Sequence, residues 1–336
     1  MSVGIDIGSR SIKVVELAKS GDGFQLRGAG AVGYSGVVID QNTSEQDLMK
    51  VSTTLRKLYK DVKISSKDVS IALPESQVFS RILKFPLLTD SEVSNAVKYE
   101  VEDYIPIPLA EAIVEHQIIE KVENANPPKV LVLLTATTRA LVEKYVQAIE
   151  MSGLNVVLVE TSLLAAVRSV APKDRNNVVV EMGARSTEIA VSKGAQLYFT
   201  RSIPTAGDAF TRAIAQTFNI PIPQAEQYKQ TYGFDEQQLE GKVKAAMQPV
   251  LSIITEEIKK TINFYQMETR GDIPNSLIVA GASGSIPNLL NVMSQTINVE
   301  VSLANPFSRV QMDQGTARSM GPYAHLYTVA AGLAMK

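Results

Sequence analysis

The 336-residue chain contains no cysteine, no tryptophan and only two histidines, His116 and His325. Without cysteine there are no disulfides, no thiolate metal sites and no cysteine nucleophile. Two histidines give little material for histidine-rich metal sites or His-based triads. An excess of one charge is also missing. The 33 basic and 35 acidic residues leave a net charge of −2, which advertises neither nucleic acid nor an anionic bilayer as a partner. No run reaches the ~20 apolar residues of a membrane span. The nearest, 156–167, is interrupted by Glu160 and Thr161. The N-terminus enters a strand pattern rather than a signal peptide, and residues 330–336 carry no long amphipathic tail. The expectation is a soluble cytoplasmic protein that meets a membrane only through partners. What is present is ordinary for a folded chain: 45% hydrophobic and 20% charged residues. The length calls for two domains or one large bilobed body.

The most informative stretch is the first sixteen residues. Val3, Ile5 and Ile7 make one apolar face of a buried strand. Asp6 sits among them, where a strand rarely keeps a carboxylate for packing alone. Gly8 permits a tight turn whose backbone N–H groups can approach an anion closely. Ser9 and Ser11 add hydroxyls, Arg10 and Lys13 add positive charge, and Ile12, Val14 and Val15 start a second strand. The unit suits a metal-bound polyphosphate, with backbone donors for its oxygens and a carboxylate for the metal or its waters. On these residues alone, an ordinary glycine hairpin with a solvated acid suits it equally.

Residues 24–33 read as a third strand. A helix opens at Thr43 or Ser44 and runs its stripe through Leu48, Val51, Leu55 and Leu58. A strand at 69–73 follows. The block 75–151 has a different texture: strands at 78–85, 113–120 and 130–136, with helices at 89–104 and 140–151. The prolines of Ile105-Pro106-Ile107-Pro108 end the first of those helices. Then 156–159 returns to a buried strand, followed by a helix at 161–170. Residues 178–191 repeat the opening grammar: apolar strand, Glu181, one residue, Gly183, polar turn, apolar strand. A third strand again follows, at 196–203. The chain therefore reads as a weak internal duplication. Helices open at Gly207, cover 225–233 and run long over 244–266. A strand at 276–280 leads into the turn Gly281-Ala282-Ser283-Gly284 and a helix from Asn288, and 328–335 reads as a closing helix.

Three glycine turns in this order resemble those of the actin, Hsp70 and sugar-kinase superfamily. Gly4-Ile5-Asp6-Ile7-Gly8 resembles its first phosphate motif, Glu181-Met182-Gly183 with Thr187 its second, and Ala280-Gly281 through Pro287 its adenosine motif. Within the superfamily the chain resembles the PilM family of type IV pilus assembly, a relative of the division protein FtsA, over nearly its whole length. The resemblance runs through 8–17, Tyr104-Ile105-Pro106, 199–204, Gly207-Asp208-Ala209-Phe210-Thr211, Ala225-Glu226 with Lys229, Asn305-Pro306-Phe307 and 331–334. The Gly-Asp-Ala-Phe-Thr run is its most family-specific part.

That resemblance implies an α/β, actin-like (ribonuclease H-like), two-lobed ATPase fold with a small α+β subdomain of the FtsA and PilM type inserted in the first lobe. The implied division is 1–74, first-lobe core; 75–151, inserted subdomain; 152–172, first lobe continued; 173–205, second-lobe core. Then come 206–271, helical subdomain of the second lobe; 272–314, second-lobe core with the adenosine motif; and 315–336, a closing helix returning to the first lobe. It implies ATP and Mg²⁺ in the cleft. Asp6 and Glu181 would hold the waters of the metal. Gly8, Ser9, Gly183 and Thr187 would hold phosphates, with Lys13, Arg10 and Arg185 neutralising charge. Glu226 and Lys229 would meet the ribose and Gly281 the adenine, with Ser11, Ser186, Gly207, Ala282 and Ser283 also among the nucleotide-binding residues. It implies the cytoplasmic N-terminal peptide of PilN as a partner, in a groove between the inserted subdomain and the first lobe. Other pilus assembly ATPases, platform proteins and self-association are further partners it allows, at the inner membrane.

One residue departs from the superfamily pattern. Its second phosphate motif usually starts with Asp, and Glu181 stands here. The extra methylene moves the carboxylate by roughly one bond length, so a water at ~3 Å would not be held identically. ATP binding with slow hydrolysis or none is the expectation. Glu160, after a buried strand, is a second candidate for orienting water; a helix N-terminal acid favoured by the dipole is the alternative. The alternatives for function are an FtsA-like division filament and a small-molecule kinase of the same superfamily. A kinase needs a further acid facing the hydroxyl of its substrate, and the first lobe shows none.

Overall fold

The computed structural model describes residues 1–34, 38–124, 126–269, 273–274 and 276–336. Alternating apolar residues at the N-terminus build β1 (Ser2–Ile7), β2 (Ser11–Ser20) and β3 (Gly23–Gly33), paired antiparallel in sequence order. Helix α1 (Glu45–Val62) starts where the Ser44 hydroxyl accepts from the Asp47 N–H. Its inward stripe of Leu48, Val51, Leu55 and Leu58 covers the sheet. Strand β4 (Asp68–Leu73) then returns parallel to β1.

The chain next leaves the first lobe. Strand β5 (Phe79–Pro86), helix α2 (Asp90–Tyr104), β6 (Ala112–Val122) and β7 (Lys129–Thr138) form a separate antiparallel sheet in the order β5-β7-β6. Thr89 and Glu92 close a reciprocal capping box at the start of α2. Val93, Val97 and Val101 of that helix meet Leu83, Val132 and Leu134 in a small core of their own. Helix α3 (Arg139–Glu150) follows, and β8 (Asn155–Thr161) rejoins the first sheet parallel to β4. The buried face of α3, Leu141, Tyr145, Ala148 and Ile149, packs with Leu48, Val51 and Leu55. By packing, α3 sides with the first lobe rather than with the inserted block where the sequence reading places it.

Helix α4 (Ser162–Val170) leads to the second lobe, which holds β9 (Asn176–Met182), β10 (Thr187–Lys193), β11 (Gln196–Ile203) and α5 (Gly207–Phe218). It continues with α6 (Ile222–Tyr232), α7 (Lys242–Thr269), β12 (Ser276–Ala280), α8 (Leu289–Ile297) and β13 (Glu300–Leu303). The sequence boundary between 271 and 272 lies outside the described residues. The two large sheets run β3-β2-β1-β4-β8, with a sixth strand from the end of the chain added beside β3, and β11-β10-β9-β12-β13. Both have an antiparallel meander on one side and two parallel pairings on the other. The duplication read from two hairpins therefore extends to the sheets.

The chain ends in the first lobe. Strand β14 (Val310–Gln311) pairs with β3, and α9 (Gln314–Met320) and α10 (Thr328–Ala334) follow. Helices α4 and α10 lie between the two sheets. Leu163, Ala166, Val329 and Leu333 pack with the second lobe, and Ala330, Ala331 and Ala334 pack on Val15 and Leu17 of the first. A Cβ on Gly332 would lie 1.9 Å from the Ala165 carbonyl, and one on Gly4 would lie 2.0 Å from that of Ala330. Only glycine permits these approaches.

Candidate functional site

The two glycine hairpins have the same local build. The Gly8 N–H donates to the Ser11 carbonyl at 3.0 Å, and the Gly183 N–H to that of Ser186 at 3.1 Å. Each turn is preceded by an acid, and the strand register sets a residue opposite it: Lys13 across from Asp6, Glu188 across from Glu181. The sequence reading did not single out Glu188. The signal was available, because the spacing of seven that joins Asp6 to Lys13 also joins Glu181 to Glu188.

Both hairpins line one cavity of about 540 Å³. The first contributes Asp6, Gly8, Ser9, Arg10, Ser11 and Lys13. The second contributes Glu181, Gly183, Arg185, Ser186 and Glu188. A neighbouring cavity of about 860 Å³ shares Arg10, Gly183, Ala184 and Ala282 with it, so the two form one crevice. Gly207, Glu226, Lys229, Ala282 and Ser283 line this second part, with apolar walls from Ile222, Pro223, Ile286, Pro322 and Leu326. Charged side chains line both parts, Asp208, Arg212, Glu226 and Lys229 in the second.

The first part holds opposed groups at close quarters. Lys13 Nζ donates to the Asp6 carboxylate at 2.8 Å. Burial alone would lower the pKa of this ammonium. The adjacent Asp6, with Glu181 behind it, reverses the effect, and the net direction is up. Glu181 is pushed up to about 8 by burial and by the nearby Asp6 and Glu188, against the pull of Lys13. Its Oε2 is buried and has no hydrogen-bond partner among the described residues. Glu188 is pushed up to about 7 by burial, although Ser162 Oγ donates to it at 2.6 Å and the Ser76 backbone N–H donates as well.

Across the mouth, Arg10 donates to both carboxylate oxygens of Asp208 at 3.0 Å, tying the first hairpin to the start of α5. In the second part Glu226 accepts from Thr211 Oγ at 2.6 Å and from Lys229 Nζ at 2.7 Å. Burial would raise its pKa, but these donors bring it below its ordinary value. Lys229 also donates to the Gly207 carbonyl at 3.2 Å. Ser283 Oγ donates to the Gly183 carbonyl at 2.9 Å, which ties the third glycine turn to the second. A Cβ on Gly281, at φ +81°, would meet the Met182 carbonyl at 2.6 Å and Glu181 Oε1 at 2.7 Å.

Three expected residues stand apart from the crevice lining. Glu160 is held by Arg168, whose two terminal nitrogens donate to its two oxygens at 2.5 and 2.7 Å while one also reaches the Gly332 carbonyl. Glu160 lines neither part of the crevice, so it is not placed to orient water there. Thr187 is fully buried and donates to the Thr205 carbonyl at 2.7 Å. Gly281 supports Glu181 from behind rather than facing the cavity.

The crevice fits a nucleotide with a hard divalent cation. Its unpartnered Glu181 oxygen and paired Asp6 are oxygen ligands of the hard type. The hairpin glycines carry no side chain that would keep phosphate oxygens from the turns they close. Among the described residues no group of three His, Cys, Asp or Glu could hold a metal by itself. The cation would therefore take its remaining ligands from phosphate and water.

A sequence model of the family described as type IV pilus assembly protein PilM matches residues 4–336. The cell division protein FtsA of Enterococcus hirae is 22% identical, over 91% of this chain and 78% of its own length. A solved PilM–PilN type IV pilus biogenesis complex superposes with a TM-score of 0.85 at 23% identity, over 99% of this chain and 97% of the other. MreB5 of Spiroplasma citri bound to AMPPNP superposes with a TM-score of 0.53 at 15% identity, over 98% and 93%. The fold is the two-lobed actin-like fold. Among the described residues no helix is long and apolar enough to cross a membrane.

Proposed function

The chain belongs to the PilM family of type IV pilus assembly proteins, and from that premise we propose that it binds ATP with Mg²⁺ between its lobes and a PilN segment outside them. The observation that supports this best is the shared cavity. Two hairpin acids, one heading each half of the duplication, converge on it, and Glu181 Oε2 is buried there without a partner. A buried, unpaired carboxylate oxygen is costly unless a ligand meets it.

Asp6 and Glu181 hold the waters of the cation. The Gly8 and Gly183 N–H groups close their turns, and the glycines give phosphate room to approach; the Arg185 backbone N–H and the hydroxyls of Ser9, Ser11 and Ser186 receive its oxygens, with Lys13, Arg10 and Arg185 balancing their charge. Thr187 acts indirectly, by holding the end of β10 through Thr205. Glu226, Lys229 and Gly207 lie at the ribose, and Ala282 and Ser283, backed by Gly281, at the base. Bound Mg²⁺ supplies charge neutralisation of the phosphates. Hydrolysis is slow or absent, because Glu181 is one methylene longer than the usual acid and Glu160 is occupied by Arg168.

The cytoplasmic N-terminal peptide of PilN lies in the groove between the first lobe and the block carrying β5 to β7, which keeps the protein at the inner membrane through this partner. The complex of related proteins supports this reading, and nucleotide occupancy biases it by favouring one lobe arrangement. The likeness to FtsA keeps a division-filament role as the competing reading. Calorimetry with a PilN N-terminal peptide, with and without ATP and Mg²⁺, separates them. Binding in either condition is expected, and absence of binding in both removes the pilus reading.

A further inference from the structure

Between the crevice and the inserted block lies a buried polar junction that nucleotide binding does not use. Glu75 opens the block in a single 3-10 turn, Glu75–Gln77, and is only 4% exposed. Its Oε1 accepts from Ser80 Oγ of β5 at 2.8 Å. The hydroxyls of Thr161 and Thr200 lie beside the carboxylate, whose Oε2 is buried with no hydrogen-bond partner among the described residues. Thr161 caps α4 by accepting from the Leu164 N–H. Thr200 lies on β11, in the second lobe. One carboxylate therefore touches the inserted block, the first lobe and the second lobe.

The next residue reaches the crevice. Ser76 lines its first part, and its backbone N–H donates to Glu188. Glu188 is held in turn by Ser162, the neighbour of Thr161. The acid opposite Glu181 therefore meets the root of the inserted block directly, at Ser76. Strand β11 also packs on β5 and on the turn itself. Burial of Glu75 is tolerated only while the Ser80 hydroxyl stays bonded to it and those of Thr161 and Thr200 stay beside it. They come from three bodies, so they stay in place only in one relative pose. A change of lobe angle must either carry the turn along or break the junction.

We propose that Glu75 is a positioning residue that fixes the pose of the inserted block and makes that block follow occupancy of the crevice through Ser76 and Glu188. This rests on the nucleotide reading above and names the element that couples it to partner binding, since coupling requires a state that both ligands bias.

The test uses the full chain, Glu75→Gln and Thr200→Val. Calorimetry measures ATP with Mg²⁺, and a PilN N-terminal peptide, each alone and in the presence of the other. In the unaltered protein each ligand should change the affinity of the other by about 5-fold or more. In Glu75→Gln each ligand alone should bind within about 2-fold of the unaltered protein while that coupling factor falls toward one. Thr200→Val, which keeps the shape of the side chain, should do the same should Glu75→Gln unfold. Hydrogen exchange across 75–86 should respond to nucleotide in the unaltered protein and lose that response in the variants. Coupling retained in both variants, or no exchange response in the unaltered protein, overturns the proposal. Absence of ATP binding in the unaltered protein is a different result: it removes the nucleotide reading itself, and the proposal with it.

Discussion

Asp6 and Lys13 face each other across two strands, and each is buried enough that neither tolerates losing the other. Asp6→Ala would strand the ammonium and confuse a binding defect with a folding one. Asp6→Asn keeps an acceptor for Lys13 and removes only the negative charge. Its expected effect is a loss of about 10–100-fold in Mg²⁺-dependent ATP affinity, the range seen when metal-site support is removed, with an unchanged circular dichroism spectrum. Unaltered affinity by calorimetry would count against the site. The second hairpin sets a pH dependence instead. Glu181 and Glu188 protonate at about 8 and about 7, against an ordinary 4.5, so the folded ligand-free protein holds protons that the unfolded chain has released. Their contribution to stability is complete below the ordinary value and is lost as pH rises through the folded values. The unfolding temperature of ligand-free protein should therefore fall from about pH 5 to about pH 8, and Glu181→Gln should flatten that slope. A slope unchanged by the substitution would mean that Glu181 ionises freely. The acid-glycine grammar was readable in the sequence because the hairpin is local. Capture of Glu160 by Arg168 was not, because that pairing depends on how α4 folds back over β8.

At the scale of elements, short-range chemistry wrote most of the fold plainly. Ser44 caps α1 and Thr89 boxes α2 where hydroxyls precede acids, and β11 occupies the very residues its apolar pattern marks. Strands β13 and β14 and helix α9 left no such mark. Three of the four residues of β13 are exposed, and β14 is two residues whose strand character comes from pairing with Phe24 and Gln25 of β3. Helix α3 was readable as a helix but not as part of the first lobe, since its allegiance lies in which core Leu141 and Tyr145 join. The crossing of α4 and α10 yields a prediction at this scale. Gly332→Ala would place a methyl group 1.9 Å from the Ala165 carbonyl, so the helices must separate. Overpacking of this kind costs about 1–3 kcal/mol and sometimes more. The expected result is a lower unfolding temperature, with ATP affinity falling too because these helices hold the two sheets together. Gly321→Ala, which meets nothing within 4 Å, is the control and should change neither.

The whole molecule is two similar sheets joined on the inside by α4 and α10 and across the mouth of the crevice by Arg10 and Asp208. The first connection is apolar and rigid. The second is an ion pair with Arg10 63% exposed, so it is worth about 0–1 kcal/mol and weakens with salt. A weak clasp across a cleft can be displaced by the ligand that enters it. Arg10 stands between the two parts of the crevice, where a triphosphate carries far more negative charge than one carboxylate. Binding should therefore draw Arg10 away from Asp208, and Asp208 acts as a competitor for it. Asp208→Asn removes that competitor without touching the hairpins. Its expected result is ATP affinity higher by about 2–5-fold at low ionic strength, an advantage that fades at about 0.5 M salt. Small-angle scattering of the ligand-free variant should show a wider distribution of lobe separations than the unaltered protein, and the same compact form once ATP is added. A fall in ATP affinity would instead make Asp208 part of the binding site, holding the cation or its water, and would assign the closing force of the cleft to the phosphate contacts alone.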